Sequence, residues 1–129
     1  MRIFAFFVIA FFTTTVACAS NITCGCATLQ PSVTVTVKDA VTHDLVPNPT
    51  FSLGAATVNG QCIGIIPDDA GEAGTPNCEQ WRVTLPVGHS TLVVSAAGYQ
   101  PQTFTFDTTL TNDCCQTGTQ LTQTAELTH

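Results

Sequence analysis

The sequence predicts an all-β fold, an antiparallel sandwich of short strands, on three observations. Valine and other apolar residues alternate with threonine and serine in several segments, which is the period of a half-buried strand. Clusters of Gly, Pro, Asn and Asp separate these segments, and no window combines helical periodicity with capping residues. The chain of 129 residues is long enough for one domain with a modest hydrophobic core.

The individual strands follow one another from about residue 32 onwards. Seven or so short strands are expected, and the candidate segments are residues 33–37, 51–53, 55–58, 61–66, 81–85, 92–96, 104–106 and 119–127. Asn59-Gly60 is a two-residue hairpin signal between two of them, because both positions tolerate positive φ. The stretch 67–77 is rich in Pro, Asp and Gly, so we expect a loop there.

Residues 1–17 are expected to be a signal peptide. Arg2 precedes an uninterrupted apolar run over residues 3–12, which is too short to span about 30 Å of hydrocarbon as a helix. A mature transmembrane anchor is the less favoured alternative, because no basic stop-transfer cluster follows the run. Residues 18–31 would then form a tether that includes the N-terminal cysteines, and residues 32–129 would form the β-sandwich domain.

Two cleavage sites compete at the end of the signal peptide. The sequence ACA at residues 17–19 fits an A-x-A site, which would leave Ser20 first in a secreted protein. The sequence TVAC at residues 15–18 resembles a bacterial lipobox, although Thr15 stands where that family usually has leucine. We favour the lipobox, in which Cys18 is lipidated and anchors the chain to a membrane. This predicts a bacterial cell-envelope protein, on the outer membrane in a Gram-negative cell.

Six further cysteines predict disulfides in an exported domain. They are Cys24, Cys26, Cys62, Cys78, Cys114 and Cys115. Bonds within the Cys24/Cys26 pair or within the Cys114/Cys115 pair would be strained, and we favour Cys62–Cys78. The other four would then join the entrance of the first strand to that of the last, in either order. A thiolate site for Cu(I) or Zn(II) is the alternative, but paired C-x-x-C spacing is absent, so no metal or other cofactor is expected.

The charge balance excludes one class of partner. Three Lys and Arg residues face nine Asp and Glu residues, which gives a net charge of −6 and a pI of about 4.5. No basic patch is available to neutralise phosphates, so we expect no nucleic-acid binding.

Removal of residues 1–17 would remove five of the eight phenylalanines. The remaining threonine-rich domain would have a thin core, which gives its disulfides a stabilising role.

Three segments resemble a known family. VTVTVKD at residues 33–39 and VPNPTF at residues 46–51 are similar to the opening of carboxypeptidase-regulatory-like (transthyretin-like) domains, and LVVSAAGY at residues 92–99 is similar to a later segment of that family. The resemblance covers about residues 32–107. It departs at His43, where the family usually has glycine after the threonine, and in the insertion that Cys62–Cys78 would close. It implies a seven-stranded, Greek-key, prealbumin-like sandwich with a non-catalytic accessory or binding role and no particular ligand.

Candidate ligand sites are few. Trp81 and Tyr99 could form a sugar-stacking platform, but the alternation of Trp81 with Val83 favours a core position for the indole. The acidic residues of the 67–77 loop lack calcium-loop spacing, so a solvated loop is expected; they are Asp68, Asp69 and Glu72. The histidines lie in turns and at residue 129 without a nucleophile signature; they are His43, His89 and His129.

The sequence therefore predicts an exported, membrane-anchored lipoprotein whose non-catalytic β-sandwich serves structural or binding roles at the cell envelope. Its expected partners are the membrane, through the lipid anchor, and an envelope protein or glycan. The alternative is a carbohydrate-binding module of the envelope or secreted fraction. An envelope hydrolase has the least support, because no nucleophile–base pair is evident.

Overall fold

The computed structural model describes residues 26–65 and 78–129, which form two four-stranded sheets. In chain order the strands are β1 (Ser32–Asp39), β2 (Thr50–Leu53), β3 (Ala56–Val58), β4 (Gln61–Ile65), β5 (Cys78–Thr84), β6 (Gly88–Ser95), β7 (Gln102–Thr108) and β8 (Gln120–Leu127). One sheet has the order β4-β5-β1-β8 and the other has the order β3-β2-β6-β7. No helix occurs in these ranges, so the all-β class is confirmed as a two-sheet, β-sandwich-like fold.

Eight strands are found in the described residues, where the resemblance implied seven. The prediction of a hairpin at Asn59-Gly60 is wrong. The strands on either side of it, β3 and β4, follow one another in sequence but belong to different sheets. Neither Asn59 nor Gly60 has a positive φ. A Cβ on Gly60 would lie 2.5 Å from the Phe51 ring. Glycine is therefore required there so that the chain can cross over this ring between the sheets, and not for a hairpin turn.

The hairpin of this region joins β2 to β3 instead. Leu53 pairs with Ala56 across the two intervening residues, and Gly54 has a φ of 59°. Positive φ is strained for most side chains and unstrained for glycine, so Gly54 supplies the turn conformation.

One strand pair is parallel, although the sequence predicted an antiparallel sandwich. β1 and β8 run side by side in one direction, because the segments that precede them also run together. The Leu29 amide donates to the Gln116 carbonyl over 2.9 Å. A Cβ on Gly118 would overlap the backbone nitrogen of Pro31, so this close approach requires glycine. The two strands consequently enter their sheet from the same end.

The hydrophobic core lies between the two sheets. Its most buried members are Val33, Val35, Val37, Val46, Phe51, Val83, Leu85, Leu92, Val94, Ala125 and Leu127. β1 contributes three of them from alternate positions, as its valine–threonine pattern predicts. Only one phenylalanine is fully buried among the described residues, and each such side chain contributes about 1.5 to 3 kcal/mol. The core is therefore built mainly from small aliphatic side chains.

Disulfide bonds are present, as expected. Cys26 is bonded to Cys115, with Cα atoms 5.5 Å apart and a separation of 89 positions in sequence. Cys62 is bonded to Cys78, with Cα atoms 5.8 Å apart, and closes the insertion between β4 and β5. Cys114 is also disulfide-bonded. These bonds indicate an oxidising, extracytoplasmic environment.

Candidate functional site

The strand directions give the body two ends. The entry end is where the N-terminal segment joins the body, and it comprises residues 26–31, 85–90 and 107–119. The far end comprises residues 39–45, 96–100 and 127–129. β1 runs from the entry end to the far end, and β5 returns antiparallel to it. The hydrogen-bonded polar side chains of the described residues are concentrated at these two ends, so each end is a candidate site.

A rigid turn at the far end is built around the buried carboxylate of Asp39. Oδ1 of Asp39 accepts hydrogen bonds from the backbone amides of Val41 (2.7 Å) and Thr42 (2.9 Å). The amide of His43 donates to the Asp39 carbonyl, and His43 has a φ of 62°. This left-handed position directly follows Thr42. The Asp39 side chain is only 7% exposed, so it acts as the internal support of the turn.

These contacts also set the ionisation of the far end. Hydrogen bonds from the Thr42 and Val41 amides, with smaller contributions from Tyr99 and His129, lower the pKa of Asp39 to about 2 against the opposing effect of burial. Burial and the neighbouring Asp39 carboxylate raise the pKa of Tyr99. Asp39 is therefore ionised at neutral pH, and Tyr99 is a neutral hydrogen-bonding phenol.

His129 closes the group. Its Nε2 lies 3.0 Å from Oδ2 of Asp39, and its Nδ1 lies 3.1 Å from the carbonyl oxygen of Gly98. The imidazole also contacts the ring of Tyr99, with 4.2 Å between ring centroids. Both ring nitrogens face acceptors, so the imidazole satisfies both contacts at once only when each nitrogen carries a proton. We call Asp39, Gly98, Tyr99 and His129 the far-end clasp.

In the far-end clasp both nitrogens of His129 face oxygen acceptors of the protein. A Ser-His-Asp triad needs one imidazole nitrogen on the carboxylate and the other on a nucleophilic hydroxyl or thiol. Here the second nitrogen of His129 faces the Gly98 carbonyl, which is not a nucleophile. Among the described residues no group of three or more His, Cys, Asp or Glu side chains could hold a metal ion. Because His129 contacts both Asp39 and Gly98, the clasp joins the end of β1, the β6–β7 connection and the segment after β8.

The entry end has a second histidine–aspartate pair of a different character. Nδ1 of His89 lies 2.9 Å from Oδ1 of Asp107, directly across the β6–β7 ladder, and both side chains are exposed. Ser90 follows on the opposite face of β6, where its buried Oγ has no hydrogen-bond partner. The exposed pair is consequently a surface contact that does not involve the buried hydroxyl.

The two aromatic residues of the sugar-platform hypothesis have separate surroundings. Trp81 lies in β5, half-buried, with its ring 6.0 Å from that of Phe51. Tyr99 lies in the far-end clasp against His129. The indole is therefore part of the packing beside the core, and each aromatic ring has an intramolecular neighbour.

Several residues singled out from the sequence lie outside the described ranges. They are residues 1–17 of the expected signal peptide, and Cys18, Cys24, Asp68, Asp69 and Glu72. Their roles stay predictions. In the ranges that the structure describes, no helix is long and apolar enough to cross a membrane.

The far-end clasp is the group that sequence reasoning missed. From the sequence, Tyr99 is a candidate only for the sugar-stacking platform, and His129 has no nucleophile signature beside it. The one available signal was the placement of Asp39 at the end of β1 and His129 shortly after β8. That signal becomes informative only when β1 and β8 are known to be parallel and in register.

Comparison with known proteins yields no assignment: no family model matches the chain, and no curated protein or solved structure matches it significantly.

Proposed function

We propose that this protein is an exported lipoprotein, anchored through Cys18, whose β-sandwich is a non-catalytic binding module at the cell envelope. The observation that carries this proposal is that the chain enters the body at one end and forms an ordered turn at the opposite end. The N-terminal segment joins the body at the entry end, where Cys26 is bonded to Cys115. The far end lies at the opposite end of β1 and carries an ordered turn. An anchored module needs this arrangement, with its attachment at one end and an ordered surface at the other.

The far end supplies the contact surface in this proposal. Val41 stands at the tip of the Asp39 turn with 79% of its surface exposed. An exposed apolar side chain on an ordered turn is suited to protein contact, because little conformational entropy is lost on binding. The overall negative charge again favours a protein or glycan partner over nucleic acid.

The absence of catalysis is part of the proposal. His129 has both nitrogens occupied by structural acceptors, and His89 pairs with an exposed carboxylate across a strand. Among the described residues, neither histidine therefore contacts a hydroxyl or thiol that it could activate. The prealbumin-like, Greek-key topology and the kinship with carboxypeptidase-regulatory-like domains belong to this proposal as well.

Metabolic labelling with a radioactive fatty acid tests the anchor. We expect label on the wild-type chain and none on Cys18→Ser, with both chains exported. Cys18→Ser keeps the other six cysteines, so oxidative folding of the domain serves as the control. Absence of label on the wild type would contradict the proposal, and Ser20 as the first residue would support a secreted protein instead.

Protein contact is tested at Val41 in the exported, anchored protein. A photo-crosslinking amino acid at position 41 should give a discrete adduct in intact cells, and the same amino acid at exposed Thr103 in β7 serves as the matched control. Equal crosslinking from both positions would contradict a contact surface at the far end. Binding to a glycan array that Trp81→Ala abolishes without unfolding would favour the carbohydrate-binding alternative.

A further inference from the structure

The entry end carries two exposed apolar side chains close to the chain's point of entry. Leu29 is 54% exposed and Val87 is 53% exposed. The Leu85 amide donates to the Pro31 carbonyl over 2.9 Å. Leu29 lies two residues before this hydrogen bond on one segment, and Val87 lies two residues after it on the other. Both side chains thus belong to the same end of the body, and we call them the entry tip.

The backbone at the entry tip is ordered. The amide of Leu29 donates to Gln116, and its carbonyl accepts from Gly118 over 2.6 Å. Oγ1 of Thr108 donates to the carbonyl of Pro86 over 2.6 Å, which fixes the turn that carries Val87. The exposure of the two side chains is therefore built into the fold and does not reflect a loose tail.

The length of the chain between Cys18 and Cys26 limits how far the entry end can lie from a membrane that holds Cys18. Cys26 lies eight positions after Cys18, and a fully extended chain of eight steps spans at most about 28 Å. Cys26 is bonded to Cys115 at the entry end. Given the proposed lipid on Cys18, on which this inference rests, the entry end is held close to the bilayer while β1 extends to the far end.

We propose that the entry tip contacts the lipid surface that holds the anchor, and thereby orients the far end away from the membrane. Two apolar side chains are too few to hold a protein on a bilayer without the acyl chains. In this proposal the lipid on Cys18 keeps the protein at the membrane, and the entry tip sets its orientation there.

The charges at the entry end narrow the class of lipid. Asp107 and Asp113 are the Asp, Glu, Lys and Arg residues of the described part of this end, whereas Lys38 lies near the far end of β1 and Arg82 lies in β5, two residues before its entry end. Anionic headgroups attract basic segments and repel acidic ones. The entry tip therefore fits a leaflet of zwitterionic lipid better than an anionic one.

Methyl NMR of the lipidated protein in phosphatidylcholine nanodiscs that contain doxyl-labelled lipid tests this contact. We expect the methyl signals of Leu29 and Val87 to be broadened at least twofold more than those of Val41. Val41 is the internal control, because it is even more exposed but lies at the far end. Equal broadening of all three residues, or broadening of Val41 alone, would overturn the proposal.

A variant pair gives an independent measure of orientation. In Leu29→Ser/Val87→Ser the amide of Gly88 should lose the broadening that it shows in the wild type, while Val41→Ser should leave it unchanged. Replacing phosphatidylcholine with phosphatidylglycerol should reduce the wild-type effect. Unaltered Gly88 broadening in the double variant, or a larger effect in phosphatidylglycerol, would count against the tip.

Mass spectrometry of the same samples separates the two proposals. A chain without lipid on Cys18 contradicts the anchored function, and the tip then falls with it. A lipidated chain without selective broadening contradicts the tip alone and leaves the anchor standing.

Discussion

The two ends of the body are closed by different kinds of chemistry. At the entry end the N-terminal segment is bonded covalently through Cys26–Cys115 and hydrogen-bonded along its backbone to the segment before β8. At the far end three chain segments meet through the buried carboxylate of Asp39 and the imidazole of His129. A disulfide is sensitive to reductant and a carboxylate is sensitive to acid. The closure of the entry end therefore depends on an oxidising solvent, whereas that of the far end depends on a pH at which Asp39 is ionised.

The largest effect is expected from reduction of the disulfides. In the chain-entropy model the 89-residue loop contributes about 4 to 5 kcal/mol and the 16-residue loop about 3 kcal/mol. Domains of this size have about 5 to 15 kcal/mol of stability in total, so the reduced protein should be largely unfolded at 37 °C. Melting curves by circular dichroism, with and without reductant, measure this. A reduced protein that melts within a few degrees of the oxidised one would show that the covalent closure is dispensable.

A smaller, local effect at the entry end is expected from Gly118→Ala. The added Cβ would overlap the Pro31 backbone, so the parallel segments must move apart at a cost of about 1 to 3 kcal/mol. The neighbouring exposed Thr117→Ala should change the free energy of unfolding by no more than about 0.5 kcal/mol. Urea denaturation of both variants makes the comparison. Equal stability of the two variants would argue against close packing of these segments.

The far end should respond to acid. The pKa of Asp39 is about 2 in the folded state, below the ordinary value of about 3.9, so its contribution to stability is present near neutral pH and is lost as pH falls from about 5 to 2. Asp39→Asn should be less stable than the wild type at pH 7, and this difference should narrow towards pH 2. Urea denaturation across this pH range measures it. Asp107→Asn is the matched control at the entry end, and a pH-independent deficit in Asp39→Asn would contradict the role of the carboxylate.

The smallest effects separate the two histidine–aspartate pairs. His89→Ala removes one exposed pair and should change stability by at most about 0.5 kcal/mol.

His129→Ala removes three contacts and should lower Tm measurably, though less than Asp39→Asn, because the backbone amides remain on Asp39. It should also lower the raised pKa of Tyr99 towards 10, because the imidazole that covers the phenol is lost. Tyr99 is the only tyrosine, so ultraviolet titration reports it alone. An unchanged Tyr99 titration would contradict the clasp.

The alternating valines of β1 and the placement of most strands could be predicted, because a period of two depends only on neighbouring residues. The Asn59-Gly60 hairpin could not be judged in the same way. A turn signal specifies which φ values a chain tolerates, whereas the sheet that each flanking strand joins depends on distant partners. Here the ring of Phe51 decides the need for glycine at position 60.

The residues of the far-end clasp show the same limit for the candidate site. Asp39 and His129 are separated by 90 positions, and no local spacing relates them. Their contact follows from the parallel register of β1 and β8, which places Asp39 opposite Leu127. A histidine two residues further along then reaches back to the carboxylate, and a register shift of a single residue would remove this contact.

The sequence by itself determined the all-β class, the strand periodicity, the acidic balance and the presence of disulfides, because composition and short-range alternation carry these properties. Only the tertiary structure decided that β1 and β8 are parallel, that β3 and β4 belong to different sheets and that a buried aspartate supports the far end. Those features depend on which distant segments lie side by side. Long-range pairing is decided by the packing of the whole core, and no short stretch of residues encodes it.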